Sequence, residues 1–251
     1  MTSAPDLPES RPSEIPLENR PLIIAHRGRT PETIENSLSG IRAAIAAGAD
    51  MVEVDVRLSL DLVPVLYHDA VLGRVARGRG PVRALPVTVL RRLPLRGGGG
   101  ETIPTLAAAL RALPPHVGMA IEIKPRDGLR HVLRTLRRHG RERRIWLWIN
   151  RVEAARLARR LAPDIPVTLL EAPWTGDIDA YLERARAVGA RGVSYDWSAV
   201  SPEAVRLAHD LGLRVFAVNH NPGRLEEALT AGLDGVITGD PAFARAVLRS
   251  T

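Results

Sequence analysis

The 251-residue chain has no cysteine, which excludes disulfides and thiolate-held metals. It has no apolar run approaching the length of a membrane span. Aromatic residues make up 4% of it, too few for the stacking platforms that hold single-stranded nucleic acid. Lysine is almost absent as well: of 35 Lys and Arg residues, only Lys124 is a lysine. The net charge of +7 is therefore carried by arginine. Such a charge suits nucleic acid or an anionic membrane. The arginines are dispersed, however, and the densest group, "RTLRRHGRERR" (134–144), reads as a solvated helix face and its exit turn. Nucleic acid is thus not expected as a partner, and the basic surface is left with transient contact to an anionic membrane. With arginine at nearly every basic position, the exception is informative. An ammonium is a compact charge on a flexible stem and a guanidinium is a planar fork. Position 124 reads as a place where the fork does not fit.

Apolar residues at 45% and charged residues at 25% are ordinary for a globular protein. The first 20 residues, "MTSAPDLPESRPSEIPLENR", are polar and proline-rich with no apolar core, so a flexible leader is expected rather than a signal or anchor. A single domain is expected over 21–251, in the cytoplasm. Along it, short apolar strand-like runs alternate with helical patterns. The runs are "PLIIAH" (21–26), "MVEVDVRL" (51–58), "MAIEIK" (119–124), "RIWLWI" (144–149), "PVTLLE" (166–171), "GVSYD" (192–196), "RVFAVN" (214–219) and "GVIT" (235–238). Eight such units in about 250 residues predict a (β/α)8 TIM barrel. A doubly wound open sheet is the alternative, but no G-x-G-x-x-G follows the first strand.

One segment breaks the alternation. "VRLSLDLVPVLYHD" (56–69) leaves too few residues for a parallel crossover, so a small antiparallel β-hairpin is expected after the second strand. A turn centred between residues 60 and 61 sets Glu53 opposite His68. Strand alternation then gathers His26, Glu53, Asp55, Glu122 and Lys124 at the C-terminal mouth, where barrel enzymes keep their chemistry. Three crowded carboxylates repel one another. Either their pKa values rise, or Lys124 and Arg27 neutralise them, or a cation sits among them. Oxygen ligands suit a hard ion such as Mg2+ or Ca2+, and zinc held by His and carboxylate is a further alternative.

The motifs "AHRG", "EN" ahead of a helix, "GADMVEVDV", "PVLYHD", "IPTL", "IEIK" and "VFAVN…AGLDGVITGDP" resemble, in order over residues 21–247, the glycerophosphodiester phosphodiesterase family. The resemblance implies a (β/α)8 barrel with one divalent cation, Mg2+ or Ca2+ ahead of Mn2+ or Zn2+, held by Glu53, Asp55 and Glu122. It implies His26 and His68 as catalytic acid and base, Arg27 and Lys124 as phosphate-neutralising cations, and Asn219 at the substrate. The implied reaction converts a small-molecule glycerophosphodiester to glycerol 3-phosphate and an alcohol through a cyclic phosphate. Two alternatives are a phosphodiesterase of lysophospholipids or sphingolipids that stops at the cyclic phosphate, and a non-catalytic anion-binding barrel. There are departures from the family pattern. P-E-N-T reads "PETIENS", W-T-V-N reads "FAVN", T-D-x-P reads "TGDP" with Asp240 displaced by one place, and the stretch between Asp69 and Ile103 is short for a capping insertion. Phe216, Tyr195 and Trp197 read equally as pocket lining or as packing.

Overall fold

The computed structural model describes residues 20–139, 144–170, 176–197, 200–219 and 225–250. Its elements run β1 (Leu22–Ala25), α1 (Leu38–Ala46), β2 (Met51–Leu58), β3 (Pro64–Leu66), α2 (Val87–Leu90), α3 (Leu106–Ala112), β4 (Gly118–Ile123), α4 (Gly128–His139), β5 (Ile145–Ile149), α5 (Val152–Leu161), β6 (Val167–Leu170), α6 (Ile178–Ala187), β7 (Gly192–Asp196), α7 (Pro202–Asp210), β8 (Arg214–Asn219), α8 (Leu225–Thr230), β9 (Gly235–Thr238) and α9 (Pro241–Ser250). Strands β1, β2, β4, β5, β6, β7, β8 and β9 pair in parallel in that order, and β9 pairs back onto β1. The sheet is therefore closed, a TIM barrel and not an open doubly wound sheet. Strand β3 is bonded antiparallel to β2 outside the ring.

Alternation along the strands sorts the side chains into two cores. Val52, Val54 and Val56 of β2 and Met119, Ile121 and Ile123 of β4 face the helices. Leu22, Ile24, Met51, Ala120, Trp146, Trp148, Phe216 and Ile237 plug the barrel interior. Phe216 stands edge-on to Trp146, ring centres 5.2 Å apart, and is 1% exposed. It is packing, not pocket lining. Tyr195 also packs: it belongs to the helix-side core, and its hydroxyl donates to the Ala204 carbonyl at 3.2 Å. Trp197 packs against the same outer core.

Local sequence sets the helix starts. The side chains of Ser37, Thr105, Asp177 and Ser201 accept from backbone N–H groups in the first turns of α1, α3, α6 and α7, satisfying donors a helix leaves open. One helix also pins two strands. The Tyr181 hydroxyl of α6 donates to the Leu169 carbonyl at 2.5 Å and accepts from the Ser194 N–H at 3.1 Å. Tyr181→Phe leaves that buried N–H without its acceptor, so we expect a loss of about 1–3 kcal/mol, read as a lower denaturant midpoint at unchanged m-value.

Of the expected leader, residues 1–19 lie outside the described residues. Arg20 is held by a paired contact to Asp50 at 2.9 and 3.0 Å, and Arg245 of α9 meets the same carboxylate at 2.8 Å. A satellite core joins Val65 and Tyr67 of the hairpin to Leu72, Ala76, Val82, Leu90, Leu95 and Ile103, which seats the stretch from Asp69 to Ile103 on the hairpin. Among the described residues, no helix is long and apolar enough to cross a membrane.

Candidate active site

The mouth is built from strand ends. Glu53 and Asp55 alternate with the outward valines of β2, and Glu122 lies level with Asp55 on β4. Each of the three offers an oxygen, and these oxygens lie within 4.8 Å of one another. Glu53 and Asp55 are buried, 2% and 1% exposed. The backbone after β1 reaches over them. Arg27 and Gly28 both adopt left-handed conformations, φ 54° and 55°, which turns the Arg27 N–H onto Glu53 Oε2 at 2.7 Å. A side chain at Gly28 would start 2.7 Å from Ile41 Cγ1. Gly28→Ala therefore combines an unfavourable φ with crowding, an expected loss of about 2–5 kcal/mol measurable by chemical denaturation.

The cations are interleaved with the acids. Lys124, one residue past β4, places Nζ 3.0 Å from Asp55 Oδ1 and 2.7 Å from Glu122 Oε1. Arg27 pairs with Glu35 at 3.0 Å and lies 3.6 Å from Asp55. Asn36 grips Asp55 at both ends: its Nδ2 donates to Oδ2 at 2.8 Å, and its Oδ1 accepts from the Asp55 N–H at 3.0 Å. Burial works to protonate Asp55, but Lys124, Asn36 and His68 outweigh it and hold the carboxyl below its usual range. Burial also works against the Lys124 charge, yet Asp55 and Glu122 raise its pKa.

Glu53 has the opposite balance. Burial, then the charges of Asp55 and Glu122, push its pKa well up, against the Arg27 N–H and Lys124. Its second oxygen, Oε1, is buried without a hydrogen-bond partner. An orphaned carboxylate oxygen beside two further acids is what a divalent cation would satisfy, and three oxygen donors without sulfur or nitrogen suit a hard ion. The residues present fit such a group.

His26 directly follows β1, at the mouth end of the strand. His68 arrives from the hairpin, whose register differs from expectation by one place. Val56 pairs with Leu66, and the Tyr67 N–H donates to the Asp55 carbonyl at 3.0 Å, so the pairing carries His68 towards Val54 rather than Glu53. The reason is the turn. It closes from Ser59 to Val63 with Leu62 at φ 64°, centring on Asp61. His68 is among the groups that hold the Asp55 carboxyl below its usual range. Its Nδ1 lies 2.7 Å from Asp69 Oδ1. Asn219 ends β8, and its side chain lies outside the described residues.

Sequence reasoning missed the braces. Arg74 bonds Asp69 at 2.7 Å and Glu35 at 2.6 and 3.0 Å, joining the partner of His68 to the partner of Arg27. Burial opposes the Asp69 charge, but the bonds from Arg74 and His68 outweigh it and hold its pKa at about 2. Arg57 donates to the His68 carbonyl at 2.8 and 3.0 Å. Arg151 holds the Lys124 and Pro125 carbonyls at 3.3 and 3.1 Å. Nothing local distinguishes these arginines from the rest of the chain's; only Asp69, in the His-Asp pair, had a visible signal.

A closed parallel barrel whose C-terminal mouth gathers three carboxylates with fixed cations between them is the frame of a hydrolase acting on an anion. The sequence profile of the Glycerophosphoryl diester phosphodiesterase family matches residues 26–242, and the chain belongs to that family. The glycerophosphodiester phosphodiesterase of Bacillus subtilis is 27% identical over 250 residues, covering 89% of this chain and 85% of the relative. That of Caldanaerobacter subterraneus subsp. tengcongensis is 25% identical over 239 residues, covering 88% and 94%. An Oleispira antarctica phosphodiesterase, solved in complex with the product sn-glycerol-3-phosphate, matches with a TM-score of 0.83 at 26% identity, covering 92% of this chain and 98% of that one.

Proposed function

We propose that the chain hydrolyses small glycerophosphodiesters to glycerol 3-phosphate and an alcohol, with one divalent cation, Mg2+ or Ca2+, held by Glu53, Asp55 and Glu122. The observation that carries this reading is the buried, unpartnered Glu53 oxygen among three carboxylates, with Lys124 and Arg27 beside them. When bound, the ion would supply positive charge to the phosphate oxygens as negative charge develops there. Lys124 and Arg27 neutralise the remaining charge and orient the diester. One of His26 and His68 takes the proton of the substrate's glycerol hydroxyl as that oxygen attacks phosphorus. The other protonates the departing alcohol, and a cyclic phosphate results. Water then opens the ring with the two roles exchanged, which suits side chains that can both accept and donate a proton. Asp69 fixes the His68 ring through Nδ1 and presents Nε2 to the reaction. Asn219 is assigned to the substrate on the strength of the family motif.

The test is a coupled assay for glycerol 3-phosphate release from glycerophosphocholine after EDTA treatment, with Mg2+, Ca2+ and Mn2+ restored singly. Activity lost to EDTA and recovered with a hard ion is the expected result. Full turnover in the EDTA-treated protein refutes the metal assignment, and a cyclic phosphate accumulating as end product refutes the hydrolytic step.

A further inference from the structure

A cation at the mouth is left over. Arg27, Arg57, Arg74 and Arg151 are each engaged with protein oxygens. Arg29, two residues beyond Arg27, has no hydrogen bond or ion pair among the described residues. Its guanidinium lies instead over Gly239. A Cβ there would stand 2.9 Å from Arg29 Nη2 and 3.3 Å from Cζ, so the glycine is the socket. Gly239 is the second place of the displaced "TGDP" motif, and the acid that could have paired with Arg29 there is missing.

The register locates this socket. Ala25 pairs with Thr238, which sets Gly239 level with His26. Ile237 faces the barrel interior, so by alternation the missing side chain of Gly239 points to the same face. Arg27 turns the other way, towards Glu53 and Asp55 on β2. Neighbouring strands lie about 4.8 Å apart, so β9 stands about 10 Å round the ring from β2, with β1 and His26 between them. A second charge carried a few bonds from phosphorus would span that distance.

Resting on the phosphodiesterase reading above, we propose that Arg29, seated on Gly239, selects diesters whose leaving alcohol carries its own anionic group, a carboxylate or a phosphate. The charge on the reacting phosphate is already met by Arg27 and Lys124 on the β2 and β4 side, and the glycerol arm is neutral. An unpaired guanidinium on the opposite flank gains only from a further anion, and its fork suits both candidates.

The experiment compares kcat/KM for glycerol 3-phosphate release from four probes. Glycerophosphoserine brings a carboxylate on the leaving arm and bis(glycerophospho)glycerol a second phosphate; glycerophosphoglycerol and glycerophosphocholine bring neither. For wild type the ratio of anionic-arm to other probes should exceed one. In Arg29→Gln it should fall about 10- to 100-fold, the scale of a lost charge-assisted contact. Gly239→Asp, which sets a carboxylate against the intact guanidinium, should give the same fall. A fall confined to one anionic probe supports the proposal and names the group. Equal loss on all four probes, or an unchanged ratio in both variants, overturns it. A wild type that turns over none of the four refutes the phosphodiesterase reading itself.

Discussion

Glu53→Gln should abolish metal-dependent turnover while leaving the protein, stripped of metal, at least as stable as wild type. Both halves follow from one atom. Glu53 Oε1 is buried with no partner, and burial with the charges of Asp55 and Glu122 raises the pKa of the group. Without an ion, the folded state must either hold a proton on Glu53 or bear a poorly compensated charge. Such a group gives full stability below its unfolded pKa of about 4.3, and that stability is lost as pH rises towards the raised folded value. Glutamine carries no charge. Its carbonyl can keep the bond from the Arg27 N–H, and its amide can donate towards the neighbouring carboxylates. The metal-free variant should therefore not share the wild type's loss of stability from about pH 5 upward. It should also lose the rise in Tm expected of wild type with Mg2+ or Ca2+. Activity should fall by about 10^3-fold, the rate equivalent of about 4 kcal/mol of charge stabilisation. Thermal melts across pH with and without ion, beside the coupled assay, check all three. A variant that kept ion-dependent stabilisation would show that Glu53 is not a ligand.

The site and its supports were unequally legible in the sequence. Strand alternation is a local property, so "MVEVDV" and "MAIEIK" announced which residues face inward, and β2 begins and ends where the sequence says. The hairpin was visible because its link is too short for any other connection. Its register was not, because a left-handed Leu62 has no sequence signature comparable to Asn-Gly, and one residue in the turn shifts every pairing after it. Asn36 belongs to the "EN" motif ahead of the first helix, but its two-ended grip on Asp55 depends on a positive φ of 55° at Asn36 and on the position of β2, both set by tertiary structure. Arg57, Arg74 and Arg151 could not be picked out at all. In a chain where arginine stands at nearly every basic position, identity carries little information and only three-dimensional placement separates a brace from a solvated side chain. Lys124 was legible for the converse reason.

Lys124→Arg should fold and lose about 10^2- to 10^3-fold in kcat, the scale of removing one preorganised donor from a developing charge. Lys124 has three N–H donors. Two point to Asp55 Oδ1 and Glu122 Oε1, at 3.0 and 2.7 Å, and the third is free for a phosphate oxygen. Because the stem is flexible, the ammonium can move towards substrate without releasing the acids. A guanidinium has its donors in one plane. Set against Asp55 and Glu122 it would form a fork onto the carboxylates, cover the oxygens assigned to the ion and aim no N–H at the phosphate. Positive charge is conserved and the two acids keep a partner, so circular dichroism and Tm should stay close to wild type while kcat falls. Lys124→Gln supplies the contrast. It loses the charge that counters burial of Asp55, so its Tm should drop as well. Near wild-type kcat in Lys124→Arg would mean that the shape of the cation at this position is irrelevant, and the single lysine among 35 basic residues would then have no chemical reason to be there.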